Sequence, residues 1–213
     1  MQPPRHLFRE QSRVDFRSVG AIAPSSRWLA ASLTAGVAAH GGRSTEPRTL
    51  LEVGAGTGAI TAALVAAMGP RDTLLVVEQN AAFATHLAAR FTNDPAFRDV
   101  QDRVRILHAS AGTLDPVASF HAIVSSLPFN NFAPKEVAGY LELFRRLLLP
   151  DGELRFYEYL AIRRLRAVLA TRQERERLAG VGRVLATALA SCPSRSQTVW
   201  WNLPPAVVHA LRF

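Results

Sequence analysis

The sequence predicts an α/β fold, an open and mostly parallel doubly wound sheet, and three observations carry that expectation. In the run Leu50-Leu51-Glu52-Val53-Gly54-Ala55-Gly56-Thr57-Gly58-Ala59-Ile60, an apolar strand breaks into three glycines and restarts as an alanine-rich helix. A second apolar strand, Leu74-Leu75-Val76-Val77, ends on the acid Glu78 about 20 residues after the last of those glycines. With 213 residues and 48% hydrophobic content, the chain fills the core of one α/β domain and leaves little for another.

The glycine turn lets backbone N–H groups approach a ligand closely, because glycine has no Cβ to hold it off. A carboxylate at the end of the next strand is placed to accept both hydroxyls of a ribose. Read only as structure, the same residues make a tight strand-to-helix turn. No Gly-Lys-Ser/Thr follows, which disfavours a triphosphate P-loop. The spacing of the third glycine also differs from that usual for NAD sites, and Glu52 places an acid inside the first strand. This pattern resembles motif I of the class I S-adenosylmethionine (SAM) methyltransferases, whose fold is Rossmann-like. The resemblance implies SAM as cofactor, held by Glu52, Gly54, Gly56, Gly58, Glu78 and Gln79, with S-adenosylhomocysteine as product.

Composition bounds the partners. The formal charge of +8 arises from 24 arginines and one lysine, Lys135, against 17 acids. Such a balance calls for an anionic partner, either nucleic acid or an anionic membrane surface. A single cysteine, Cys192, excludes an intrachain disulfide, and six scattered histidines lack ligand spacing, so no metal is expected. The longest apolar stretches, residues 28–39 and 59–69, fall short of the roughly 18 residues of a spanning helix. The N-terminus has no signal-peptide core. The expectation is a cytoplasmic protein, peripheral on the inner face of the cell membrane.

Arg5, Arg9, Arg13 and Arg17 recur at steps of four, making one basic stripe on a helix, with Leu7, Phe8 and Val14 off it. Four like charges in a row repel in isolation, so an amphipathic helix lying on a negative surface is expected; a frayed, solvated terminus is the plainer reading. Gly20 and Pro24 then punctuate a turn, and Ser25 or Ser26 can N-cap a helix running to about His40. Residues 1–40 form a basic, cofactor-covering segment and 41–213 the main domain, together one structural unit. The stretch Val19-Gly20-Ala21-Ile22-Ala23-Pro24-Ser25-Ser26-Arg27 resembles the segment preceding motif I in bacterial phospholipid N-methyltransferases, which convert phosphatidylethanolamine to phosphatidylcholine. The resemblance places Ser25 and Ser26 at the cofactor and Arg17, Arg27 and Trp28 at the lipid substrate.

Residues 81–91 read as a helix and 104–108 as the third strand. Many methyltransferases carry an Asp for the adenine amino group just after that strand; here the positions are Ser110 and Ala111. The fourth strand, 121–125, runs into Ser126-Leu127-Pro128-Phe129-Asn130-Asn131-Phe132, a loop expected beyond the carboxyl ends of the strands, where ligands sit. It corresponds to motif IV, with Ser125 and Leu127 towards the cofactor, Ser126 at the reacting groups and Phe129 towards the acceptor. The rRNA adenine dimethyltransferases carry Asn-Leu-Pro-Tyr/Phe there, whereas Ser-x-Leu-Pro is the form associated with phospholipid methyltransferases.

A helix over 134–149 and a strand over 153–160 follow, the strand bringing Tyr157, Glu158 and Tyr159 to the same rim as candidates for removing the amine proton. As structure alone they are ordinary strand residues. Residues 163–191 read as basic helix interrupted near Gly180 and Gly182, with the charge run 172–177 a solvated face. The final block, 195–211, reads as two strands joined across Pro204-Pro205. The resemblance makes it the antiparallel hairpin closing a seven-stranded sheet, and Trp-x-Asn-Leu-Pro-Pro-Ala-x-Val, from Trp200, matches the phospholipid methyltransferases again. Arg195 joins Arg17 and Arg27 as a candidate for the lipid phosphate. The reading is N-methylation of phosphatidylethanolamine and its mono- and dimethyl forms. The alternative, an RNA adenine N6-methyltransferase, suits the basic charge but calls for an appended RNA-binding domain, so nucleic acid is the less favoured partner.

Overall fold

A computed structural model describes residues 26–41, 46–160 and 171–213. The arginine stripe at 5, 9, 13 and 17, Ser25 and the helical reading of 163–170 lie outside these residues.

The elements alternate in the βα manner that buries a parallel sheet between helices. In order they are α1 (Arg27–Gly41), β1 (Thr49–Val53), α2 (Ala59–Ala67), β2 (Thr73–Glu78), α3 (Ala81–Asn93), β3 (Val104–His108), β4 (Phe120–Ser125), α4 (Pro134–Leu147), β5 (Leu148–Tyr159), α5 (Arg172–Ser191), β6 (Ser194–Val199) and β7 (Ala206–Arg212). The seven strands lie in the order β3-β2-β1-β4-β5-β7-β6. The first five are parallel, while β7 runs antiparallel to both β5 and β6. The chain winds outward in one direction after β1 and in the other after β4. A crevice therefore opens at the carboxyl ends of these two neighbours.

Strand alternation divides the core. Leu50 packs with Leu74, Val76 and Val124 against Leu29, Leu33 and Val37 of α1, Ile60 and Leu64 of α2 and Leu87 of α3. Leu51 and Val53 turn the other way, onto Val137, Leu141 and Phe144 of α4 and Val181 and Leu185 of α5. Helix starts are fixed by side chains that satisfy otherwise orphaned N–H groups. Ser26 Oγ accepts from Leu29 N–H, Asn80 accepts from Ala82 and Phe83, and Thr171 accepts from Glu174. Arg48 pairs with buried Asp72 and also donates to the carbonyl of Val37, tying the end of α1 to the amino edge of the sheet.

Two expectations are corrected. Helix α5 runs unbroken through Gly180 and Gly182, because Gly180 serves close packing and not a break: a Cβ there would lie 2.6 Å from Cγ of Pro134 on α4. Nor is the run 172–177 all solvated. Arg177 reaches across to donate to the carbonyls of Asn130 (2.7 Å) and Phe132, while Glu174 accepts from the same guanidinium. Among the described residues, no helix is long and apolar enough to cross a membrane.

Candidate functional site

The cofactor half of the crevice is made by the turn between β1 and α2. Gly54, Gly56 and Gly58 all have positive φ, at 77°, 56° and 82°, a conformation that costs other residues dearly. The surroundings of two of them differ in a telling way. A Cβ on Gly58 would strike Leu87 at 2.5 Å, so that glycine is there for packing, whereas one on Gly56 would meet nothing within 4 Å among the described residues. Gly56 therefore faces open space, as a cradle for a ligand must.

Beside it, Glu78 accepts from the N–H of Gly56 through Oε2 at 2.8 Å and from that of Asn80 through Oε1 at 2.7 Å. Each oxygen keeps acceptor capacity for a ribose hydroxyl. Burial pushes the carboxyl above its ordinary range, opposed by those two N–H groups. Glu52, on β1, is fully buried, and among the described residues neither carboxylate oxygen has a hydrogen-bond partner. Its pKa is pushed up to about 8, chiefly by burial; Thr61 works against the rise and the nearby charge of Glu78 adds to it. An orphaned buried acid next to a glycine cradle fits a ligand that carries a cationic group. The residues present thus suit SAM: Gly56, Glu78 and Glu52 are those that would meet it, Glu78 at a ribose and Glu52 at a positive end.

Remaining residues of this half sit where the sheet puts them. Gln79 is exposed after β2, and its carbonyl lies 3.1 Å from Nε2 of His108. Ser110 and Ala111 follow β3, with Ala109 N–H donating to the carbonyl of Glu78, and Ala111 is buried. Ser125 is buried at the end of β4 and accepts from Leu127 N–H at 3.3 Å, while the Leu127 side chain lies against Gly54. Arg90 of α3 was missed from the sequence. It donates to the carbonyls of Thr57 (3.0 Å) and Gly58 (3.2 Å), pinning the glycine turn from outside.

The acceptor half is less convergent than expected. Ser126 N–H donates to Val53 at 2.8 Å, and its buried hydroxyl has no partner among the described residues. Phe129, expected to face the acceptor, is only 2% exposed and packs edge-on against Phe156 at 5.3 Å, because the loop turns its ring down into the α4 and α5 core. Tyr157, Glu158 and Tyr159 do not share a face. Tyr157 and Tyr159 pack with the α1 side of the sheet, 5.2 Å apart. Glu158 alternates to the opposite face with Phe156, where its Oε1 lies 3.2 Å from Nε2 of His209. Nδ1 of His209 is in turn 2.8 Å from Ser196 Oγ. Burial raises the pKa of the Tyr159 hydroxyl, with hydrogen bonding to Tyr157 and Asn202 acting against it, so Tyr159 stays a neutral phenol.

Arg195 falls away from the rim. Pairing sets it opposite Ala210, which itself pairs with Arg155, four residues before Tyr159 and so about 13 Å down the strand. Arg27 and Trp28 stand exposed at the start of α1, the guanidinium 4.7 Å over the indole. Asn202, also missed from the sequence, is buried in the β6–β7 turn: Oδ1 accepts from Ser26 N–H at 3.2 Å and Nδ2 donates to Pro204 at 2.7 Å. It fastens the hairpin to the start of α1.

A methyltransferase-domain family model matches residues 50–152. The chain is 30% identical over 140 residues to an ornithine lipid N-methyltransferase of Singulisphaera acidiphila, covering 63% of this chain and 67% of that protein. It is 35% identical over 112 residues to a probable ribosomal RNA small subunit methyltransferase A of Haloarcula marismortui, covering 53% of this chain but 36% of the relative. Its fold matches an O-methyltransferase from Bacillus cereus in complex with SAH (TM-score 0.65, 14% identity, 99% of this chain and 93% of the other). It likewise matches an O-methyltransferase of tomaymycin synthesis from Streptomyces achromogenes in complex with SAM (TM-score 0.66, 15% identity, 98% and 90%).

Proposed function

Because the chain belongs to the class I SAM-dependent methyltransferases, we propose that its acceptor is the amine of a lipid head group, with phosphatidylethanolamine methylated stepwise towards phosphatidylcholine. SAM supplies an activated methyl group together with its leaving group, so the protein's task is mainly to place a free amine in line with it.

The observation that carries the lipid reading is the loop after β4. A flat nucleobase calls for an aromatic face to stack on, yet the Phe129 ring is buried against Phe156 and that of Phe132 lies 5.4 Å from Tyr140. What the loop offers is the small hydroxyl of Ser126, suited to a compact amine. The likeness to an ornithine lipid N-methyltransferase supports the same class of acceptor. A head-group ammonium must lose a proton before each attack. Glu158, backed by His209 and Ser196, is the group assigned to take it, and Tyr159 serves as a neutral hydrogen-bonding wall. Arg27 is the described cation near the rim for the lipid phosphate, and Trp28 beneath it offers a face to the methylated cation.

The test is incubation with methyl-labelled SAM in two arms, phosphatidylethanolamine vesicles and total RNA. Label is expected in lipid and not in RNA; label in RNA alone reverses the assignment in favour of the ribosomal RNA relative's class of substrate.

A further inference from the structure

Six large apolar side chains are exposed among the described residues, and five of them gather in one place. Trp200, Trp201 and Leu203, at 70%, 81% and 86% exposure, occupy the turn between β6 and β7. Leu160 joins them because its N–H donates to the carbonyl of Pro205 at 2.9 Å. Trp28 joins from α1, two residues beyond the Ser26 N–H that Asn202 holds. Only Val117 lies elsewhere.

We propose that this cluster is a bilayer-insertion surface, the β6–β7 turn entering the interfacial layer of an anionic membrane with Trp200, Trp201 and Leu203 and flanked by Trp28 and Leu160. The proposal deepens the lipid reading above and rests on it for its purpose, though not for its measurement.

Exposing two adjacent indoles and a leucine to water is unfavourable, and a patch of this kind marks an interaction site. Fraying does not explain it. Asn202, between the exposed residues, is buried with its amide bonded on both sides, so the turn is built to hold its neighbours outward. Tryptophan, with an apolar body and one N–H donor, suits the boundary between head groups and acyl chains. Charge agrees: Arg27 lies over Trp28, and Arg163, Arg164 and Arg166 come soon after Leu160 in sequence. Basic residues around an apolar tip match an anionic surface. Leucine and proline at the tip have no counterpart in stacking on nucleobases. Location agrees as well, since Val199 and Ala206, which bound the turn, are in register with Tyr159 at the carboxyl edge of the sheet. A turn inserted here would bring the catalytic rim to head-group level.

The test uses the full chain with Trp28→Phe, leaving Trp200 and Trp201 as its emitters, and vesicles of phosphatidylethanolamine with phosphatidylglycerol, with or without brominated acyl chains. A blue shift and quenching by bromine are expected. The triple variant Trp200→Ser/Trp201→Ser/Leu203→Ser should partition onto vesicles roughly tenfold more weakly or worse, while calorimetry finds SAM affinity unchanged. If that variant loses SAM binding, the single Leu203→Asp variant makes the same comparison. Unaltered partitioning overturns the proposal. So does emission that is already blue and shielded from acrylamide before lipid is added, which would mean that residues 1–25 or a second copy cover the patch. Quenching by RNA in place of vesicles overturns it too. Bromine quenching of the Trp28→Phe chain, with no lipid methylation by the chain that keeps Trp28, sinks the acceptor assignment and leaves insertion standing. Methylation of dispersed short-chain phosphatidylethanolamine without quenching does the reverse.

Discussion

The two halves of the crevice are made of different material. The cofactor half, around β1 and β2, is largely backbone: three glycines at positive φ, N–H groups satisfied by Glu78, and carbonyls held by Arg90. The acceptor half, around β4, β5 and the hairpin, is held by side chains from remote segments. Arg177 grips the β4 loop from 45 residues away and Asn202 grips α1 from 176 residues away. A site for a cofactor common to many enzymes can be written into one short stretch of chain. A site for one acceptor is assembled from whatever long-range contacts bring suitable groups to the rim.

The widest gap between the halves should open with Glu78→Ala. It removes a carboxylate that two N–H groups already orient, and charged hydrogen bonds of this kind contribute about 1.5–3 kcal/mol. SAM affinity by calorimetry should fall roughly tenfold or more; an unchanged affinity would dissolve the distinction between the halves.

A sharper cut comes from Arg177→Met. It removes the guanidinium N–H groups that donate to the Asn130 and Phe132 carbonyls, so it should loosen only the acceptor side. The acceptor KM should rise by roughly severalfold with SAM affinity intact, and an equal loss of both would mean that the halves are mechanically one.

A third effect, on stability and not on binding, is a pH dependence. Glu52 is raised from 4.5 to about 8 in the fold without cofactor. Between those values the folded state holds a proton that the unfolded chain has released, so the contribution of Glu52 to stability is fully present below 4.5 and is lost as pH rises through 8. Glu52→Gln should flatten that decline and raise the Tm at pH 8, by about 2–4 °C for each kcal/mol recovered. Thermal melts at pH 5 and pH 8 measure it, and parallel shifts at both would show that Glu52 is not the titrating group.

The same division explains what the sequence made legible. Strands, helices and the glycine turn followed from local runs of apolar residues, glycines and caps. Strand alternation, also local, is enough to separate Glu158 from Tyr157 and Tyr159. Arg195 was misplaced because its height on the sheet depends on hairpin register, set by pairing with Ala210. Arg177 looked solvated because its i, i+3 partner Glu174 is the ordinary signature of an exposed helix, and nothing local reveals that the guanidinium continues to a distant loop. The tryptophans of the hairpin read as strand ends until the turn placed them outside.

Gly180 carries a consequence for how this protein can vary. Its missing side chain lets α5 lie directly on Pro134, the first residue of α4, two residues beyond the loop that Arg177 holds. Any replacement, even alanine, must shift the start of α4, and the acceptor loop is fastened to what shifts. A position on the far face of the sheet, away from the glycine cradle, would then be nearly as intolerant of change as the crevice itself. A survey of tolerated substitutions would count it among the functional residues for reasons of space alone.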